Sequence, residues 1–238
     1  MRFLNFVMLL SATLFLPMTG CDEPAEVQVS AELPSSAVYD QAVPETEPVE
    51  DAWFANTAMI GHSMMRGIEV YSGLETPDYY TLSGSSVSEL LYSDEVEFPG
   101  GTQGSLSTAL AAQTYERFYL FMGINEVCGD LEALKEDYLQ LITLLRKTSP
   151  DAVIYVLSVL PVTQDKALQG TFTQDCIKAY NNMLLELCAE EKCWYVDLYG
   201  PFADEEGFLP ASSSTDGIHL KQAEYITLVN ELKTHTAE

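Results

Sequence analysis

The sequence predicts an α/β domain of three layers, α/β/α, with a five-stranded parallel sheet in flavodoxin-like order. Three observations predict it. Short, largely apolar runs, the continuous one at Phe118–Met122 and another at Ala152–Val159, read as strands buried on both faces. Longer segments between them carry apolar residues at helical spacing. The two kinds of segment alternate without an internal repeat, the pattern of βαβ units.

The chain has 238 residues and 47% hydrophobic content. Residues 1–20 read as a signal peptide, with Arg2 followed by an apolar stretch from Phe3 to Leu16 that is too short for a comfortable membrane span. Thr19-Gly20-Cys21 resembles a bacterial lipobox, with Met18 in place of the more usual leucine. The resemblance implies cleavage before Cys21 and a lipid on its sulfur. An ordinary secretory signal is the alternative, and either reading puts the mature protein outside the cytoplasm. Residues 21–50 are acidic, rich in Pro, Ser and Ala, and lack a period, so they are expected to be a flexible tether. Residues 51–238 remain, roughly 185 residues and enough for one domain with its own core.

The elements follow in order. Thr57–Ile60 is a strand, and Met64–Tyr71 a short helix. Tyr79–Leu82 is a second strand closing into Ser83-Gly84-Ser85-Ser86, where the glycine permits a turn. Val87–Leu91 begins a helical piece. Residues 93–105, with Pro99, Gly100, Gly101 and Gly104, read as loop, and Leu106–Gln113 as a modest helix. After the strand at Phe118–Met122 comes the clearest helix. Its apolar stripe is Leu131, Leu134, Tyr138, Leu141, Ile142 and Leu145, with Asp130 as cap and Ser149-Pro150 as stop. A strand at Ala152–Val159 and a polar loop to Thr173 precede a helix carrying Ile177, Tyr180, Leu184, Leu187 and Cys188. Trp194–Leu198 is the last strand, 200–217 an irregular loop, and Lys221–Lys233 the last helix.

Four cysteines follow Cys21, namely Cys128, Cys176, Cys188 and Cys193. An even number in an exported domain permits two disulfides. Of three possible connectivities, Cys128–Cys176 with Cys188–Cys193 is the expected one, and free thiols are the alternative.

Three stretches carry chemistry. Gly61-His62-Ser63 ends the first strand, Gly123-Ile124-Asn125-Glu126 ends a central strand, and Asp216-Gly217-Ile218-His219 lies near the C-terminus. The carboxyl ends of parallel strands are where sites are built. A serine hydroxyl becomes a useful nucleophile only with a base and with donors for the oxyanion. His219 is a candidate base, and Asp216, three residues earlier, can hold its ring.

Together with Gly84, these stretches resemble the blocks of the SGNH hydrolases, the GDSL esterase/lipase family, in order and over residues 55–235. The resemblance implies Ser63 as nucleophile, His219 as base and Asp216 as its partner. It also implies an oxyanion hole of the Ser63 N–H, the Gly84 N–H and the Asn125 amide. The mechanism requires no metal or cofactor. Two positions depart from the family pattern, since His62 and Glu126 stand where aspartate is usual. His62 is open to several readings: a neutral substitute, a modifier of the pH profile, a rival base, or the mark of a decayed site.

The expected function is that of an extracytoplasmic serine esterase removing short acyl groups, most plausibly acetyl, from carbohydrate or cell-wall polymers. The membrane is reached only through the lipid on Cys21. Tyr79, Tyr80, Tyr92 and Tyr199 are candidates to stack on sugars, with packing as the alternative. A lysophospholipase or thioesterase on the same triad is a second reading, and a non-catalytic glycan-binding lipoprotein a third. A formal net charge of -25, from 36 acidic and 11 basic residues, argues against nucleic acid and against an anionic lipid surface as partners.

Overall fold

The computed structural model describes residues 38–237. The expected signal peptide, Cys21 and most of the expected tether lie outside the described residues.

From the N-terminal side the elements are β1 (Thr57–Gly61), α1 (Ser63–Tyr71), β2 (Asp78–Thr81), α2 (Val87–Tyr92), β3 (Val96–Glu97), β4 (Gln103–Gly104), α3 (Leu106–Leu110) and β5 (Arg117–Phe121). There follow α4 (Leu131–Thr148), β6 (Val153–Leu157), α5 (Gln164–Ala167), α6 (Gln174–Glu191), β7 (Trp194–Val196), α7 (Tyr199–Phe202) and α8 (Gln222–Thr234). The sheet order is β4-β3-β2-β1-β5-β6-β7. The five strands β2-β1-β5-β6-β7 are parallel and in the expected flavodoxin-like order.

The sheet has seven strands rather than five. β3 and β4 form a small antiparallel hairpin on the edge of β2, joined to it at Thr81 and Glu97. This hairpin occupies the stretch expected to be loop. A two-residue strand has no side-chain period to read, and backbone pairing to an open edge forms it.

The buried runs serve two cores at once, because successive side chains on a strand point to opposite faces. Ala58, Ile60, Phe118, Leu120, Ile154 and Val156 face Tyr138, Leu141 and Leu145 of α4 and Ile177, Tyr180 and Leu184 of α6. Met59, Tyr119, Phe121, Tyr155 and Leu157 face Met65 and Ile68 of α1 and Tyr225, Leu228 and Leu232 of α8. At the centre of the second core the Tyr119 and Tyr155 rings stack at 4.5 Å with planes 6° apart.

Two expectations are corrected. Part of the stretch assigned to the tether is domain: the Val43 N–H donates to Tyr195 O at 2.8 Å, Val43 is buried, and the Val49 N–H donates to Lys233 O at 3.0 Å. Val43, with Ala42 and Val49 packed beside it, and backbone bonds to β7 and to the end of α8 hold it, with no periodic face to announce it. Cys128 and Cys176 are bonded as expected, whereas Cys188 and Cys193 are free and buried. Both thiols pack into the core beneath α4. Burial pushes Cys188 far up and Cys193 up to about 12, so neither supplies the thiolate that disulfide exchange needs.

Candidate active site

The site forms where β1, β2 and β5 end. β1 stops at Gly61, and the chain turns directly into α1, so Ser63 is the first helical residue. His62 is the N-cap, and its Nδ1 accepts the Met64 N–H at 3.2 Å. A short polar acceptor normally fills that position, and the imidazole fills it here.

His219 comes from the segment before α8. The Ser214 hydroxyl and the Thr215 N–H both donate to His219 O, at 2.8 and 3.0 Å. Asp216 Oδ1 accepts the N–H groups of Ile218 and His219 at 3.0 and 2.8 Å. This tight turn presents the Asp216 carboxylate and the His219 ring side by side. Asp216 Oδ2 lies 2.8 Å from His219 Nδ1, and His219 Nε2 lies 2.9 Å from Ser63 Oγ. Ser63, His219 and Asp216 therefore form one hydrogen-bonded chain across 156 residues of sequence separation.

The electrostatics match the geometry. Partial burial alone would raise the Asp216 pKa. Hydrogen bonds from the His219 ring and from the backbone outweigh it and bring Asp216 to about 2. Asp216 is thus an anion at neutral pH beside the ring that must accept a proton.

Gly84 lies in the turn after β2 with φ of +80°, a conformation that glycine adopts without strain. Asn125 follows β5, and its amide donates one hydrogen to Ser85 O at 2.9 Å. An amide nitrogen carries two hydrogens, so a second donor remains. Two loops from the ends of different strands are thereby joined beside Ser63.

His62 behaves as a neutral residue. It is buried, and burial together with the neighbouring His219 pulls its pKa down to about 3. With Nδ1 accepting, the ring proton sits on Nε2, which has no partner among the described residues. Neither nitrogen then offers a free lone pair, so the ring is not a rival base for Ser63. The stability consequence has a definite sign. Below its ordinary value of 6.5 the unfolded chain protonates this histidine while the folded chain does not, so stability is full above pH 6.5 and is lost as pH falls toward 3. At pH 4.5 the loss is about 3 kcal/mol. His62→Asn keeps a capping acceptor and removes the titration. Its melting temperature is expected to fall less than that of the wild type between pH 7 and 4.5, by about 6–12 °C. Equal declines would show that His62 protonates freely in the fold.

The sequence reading did not single out the cavity walls. A cavity of about 440 Å³ opens beside Ser63 and His219, lined by Arg66, Gly67, Val70, Tyr71, Gln222 and Tyr225 among others. Four of these lie one or two turns after Ser63 on α1, so helical spacing from the serine was the available signal. A second cavity, of about 450 Å³, borders Gly84 and Ser85 and reaches Glu89, Tyr92 and Glu95. Beneath the site is a small apolar space of about 10 Å³. His62, Ile124 and Ile218, the residues before Ser63, Asn125 and His219, all line it. Of the four tyrosines considered for sugar stacking, Tyr79 and Tyr80 are core, and the Tyr199 hydroxyl is bound to Gly207 O at 2.6 Å. Tyr92 stands on the surface.

Among the described residues, no group of three or more His, Cys, Asp or Glu is placed to hold a metal ion, and no helix is long and apolar enough to cross a membrane.

A model of the GDSL-like lipase/acylhydrolase family matches residues 60–225. Among solved structures, a Streptococcus pneumonia protein described as a platelet activating factor is similar at TM-score 0.59 and 22% identity, over 75% of this chain and 82% of that one. A GDSL-like lipase from Bacteroides thetaiotaomicron is similar at TM-score 0.54 and 13% identity, over 76% and 90%. A Slackia heliotrinireducens protein described as an SGNH hydrolase is similar at 0.55 and 17%, over 74% and 97%. At these identities the likenesses speak for the fold. No curated protein matches.

Proposed function

We propose, for a chain that belongs to the GDSL-like lipase/acylhydrolase family and is a serine ester hydrolase, that it removes short acyl groups, chiefly acetyl, from carbohydrate or cell-wall substrates outside the cytoplasm. The observation that carries this reading is the continuous hydrogen-bonded chain from Ser63 Oγ through His219 to Asp216.

The steps follow from that chain. His219 Nε2 takes the Ser63 proton as Oγ attacks the ester carbonyl carbon. The carbonyl oxygen becomes an oxyanion, held by the Ser63 and Gly84 N–H groups and the second hydrogen of the Asn125 amide. The intermediate collapses, the carbon–oxygen bond to the alcohol breaks, and His219 returns the proton to the leaving oxygen. Water, deprotonated by His219, then attacks the acyl-enzyme carbonyl. Ser63 leaves with the proton and the carboxylic acid departs. Asp216 stays ionised throughout and stabilises the imidazolium formed in each half.

In support of a short acyl group, the apolar space lined by His62, Ile124 and Ile218 is only about 10 Å³, room for a water-sized group at most, and gives a long acyl chain nowhere to enter. The larger cavities beside Ser63 and Gly84 are left for the alcohol portion. A lipid on Cys21, as the lipobox resemblance implies, would hold the domain on the extracytoplasmic side of the cell membrane, where O-acetylated glycans are the local esters. The intact hydrogen-bonded chain argues against a decayed, purely glycan-binding site.

The test is hydrolysis of p-nitrophenyl esters of two, four, eight and twelve acyl carbons by the full-length chain. The rate is expected to be greatest for acetate and to fall by about 10-fold or more by eight carbons, since overpacking a small pocket is costly. A maximum at long chains would replace the acetylesterase reading with that of a lysophospholipase or thioesterase.

A further inference from the structure

Glu126 is the second position where this chain departs from the family pattern, and it holds two loops of the site together. Its carboxylate accepts the Val87 N–H with both oxygens, at 3.0 and 3.2 Å. Val87 is the first residue of α2, three residues beyond Gly84. The Asn125 amide meanwhile donates to Ser85 O at 2.9 Å. Two consecutive side chains of one loop therefore grip the other loop at two nearby backbone points.

A third element braces the arrangement. The Tyr180 hydroxyl of α6 donates to Glu126 Oε1 at 3.3 Å. The same ring lies against Gly123, where φ is +123° and an added Cβ would stand 2.3 Å from a ring carbon. Glycine at 123 thus lets α6 reach the loop that carries Asn125. Glu126 is also an expensive group to keep here. Burial pushes it up to about 7, Asp137 and Glu89 push the same way, and only the Val87 N–H and the Tyr180 hydroxyl oppose them. No cation pairs with it among the described residues.

We infer that Glu126 is a positioning residue for ester hydrolysis. Through Val87 and Tyr180 it holds loop 83–87 so that the Gly84 N–H and the Asn125 amide converge on one oxyanion. The inference rests on the proposed reading of those two groups as oxyanion donors. Glu126 does not itself meet the substrate. The physical reason is that such donors act only when they are already about 3 Å from the developing charge, and a displacement of about 1 Å costs on the order of 10²-fold in rate.

The experiment uses the full-length chain and p-nitrophenyl acetate. Glu126→Ala is expected to lower kcat about 10–10²-fold with KM little changed, because the lost interaction acts in the transition state. Glu126→Gln keeps an acceptor oxygen for Val87 and is expected within about 5-fold of the wild type. Val87→Pro removes the N–H itself at the first helical position, where proline is tolerated. Measured against Val87→Ala, which keeps the N–H, it is expected to lose as much kcat as Glu126→Ala. The Val87→Pro/Glu126→Ala double variant should lose no more than either single one. If Glu126→Ala does not fold, the Val87 pair carries the test alone. A kcat within about 3-fold of wild type for Glu126→Ala, or additive losses in the double variant, overturns the inference. Ser63→Ala run in parallel separates the two levels. Activity surviving there would sink the reading of the site as a whole, whereas an inactive Ser63→Ala beside an unaffected Glu126→Ala would remove only the role of Glu126.

Discussion

Ser63→Ala and His219→Ala are each expected to lower kcat on p-nitrophenyl acetate by about 10⁴–10⁶-fold, and the double variant is expected to be scarcely worse than either single one. The size and the non-additivity share one cause. The serine is nucleophilic only while His219 can take its proton, so losing either group ends the same step. The 2.9 Å contact between Ser63 Oγ and His219 Nε2 is the geometry this requires. The fold should persist in both variants. Ser63 is only partly buried and His219 is held through its backbone by Ser214, Thr215 and Asp216. Steady-state kinetics beside far-UV circular dichroism make the measurement. A folded Ser63→Ala protein with undiminished turnover would end the covalent mechanism proposed for this chain.

Asn125→Ala is expected to cost about 10²–10³-fold in kcat, with KM close to that of the wild type. The amide has two tasks, and they separate by readout. One hydrogen holds Ser85 O at 2.9 Å, which is a structural bond present without substrate. The other is proposed to meet charge that exists only after attack on the carbonyl, so its loss is expected in kcat. Asn125→Asp tests the division further. It has nearly the same shape but offers acceptors to an oxyanion and to Ser85 O, so it should be at least as inactive as the alanine variant. A large rise in KM with kcat preserved would mean that Asn125 binds the ground state and does not stabilise the oxyanion.

The strands that place these residues were legible because their message is local. Phe118–Phe121 and Val153–Leu157 are apolar at every position, and a strand covered on both faces demands that. The order of the parallel strands followed from their alternation with helices. The β3–β4 hairpin was not legible, since a two-residue strand takes its identity from the neighbour it pairs with. Residues 42–49 were missed for the same reason, as their bonds run to Tyr195 and Lys233 at the far end of the chain. Cys188 and Cys193 were the expected second pair, yet each serves the core as a small apolar residue.

The candidate site divides in a similar way. Ser63, Gly84, Asn125, Asp216 and His219 were recoverable from the sequence because each belongs to a short stretch of recognisable chemistry after a strand or near the C-terminus. The sequence by itself determined the candidates for nucleophile, base and partner carboxylate, and the α/β scaffold that displays them. Only the tertiary structure decided the state of His62 and the task of Glu126. Burial makes the first neutral, down to a pKa of about 3, and Val87 with Tyr180 makes the second a tie between loops. Residue type and periodicity are properties of neighbours along the chain. Protonation state and convergence depend on groups brought together from distant positions, and on the water that their packing removes.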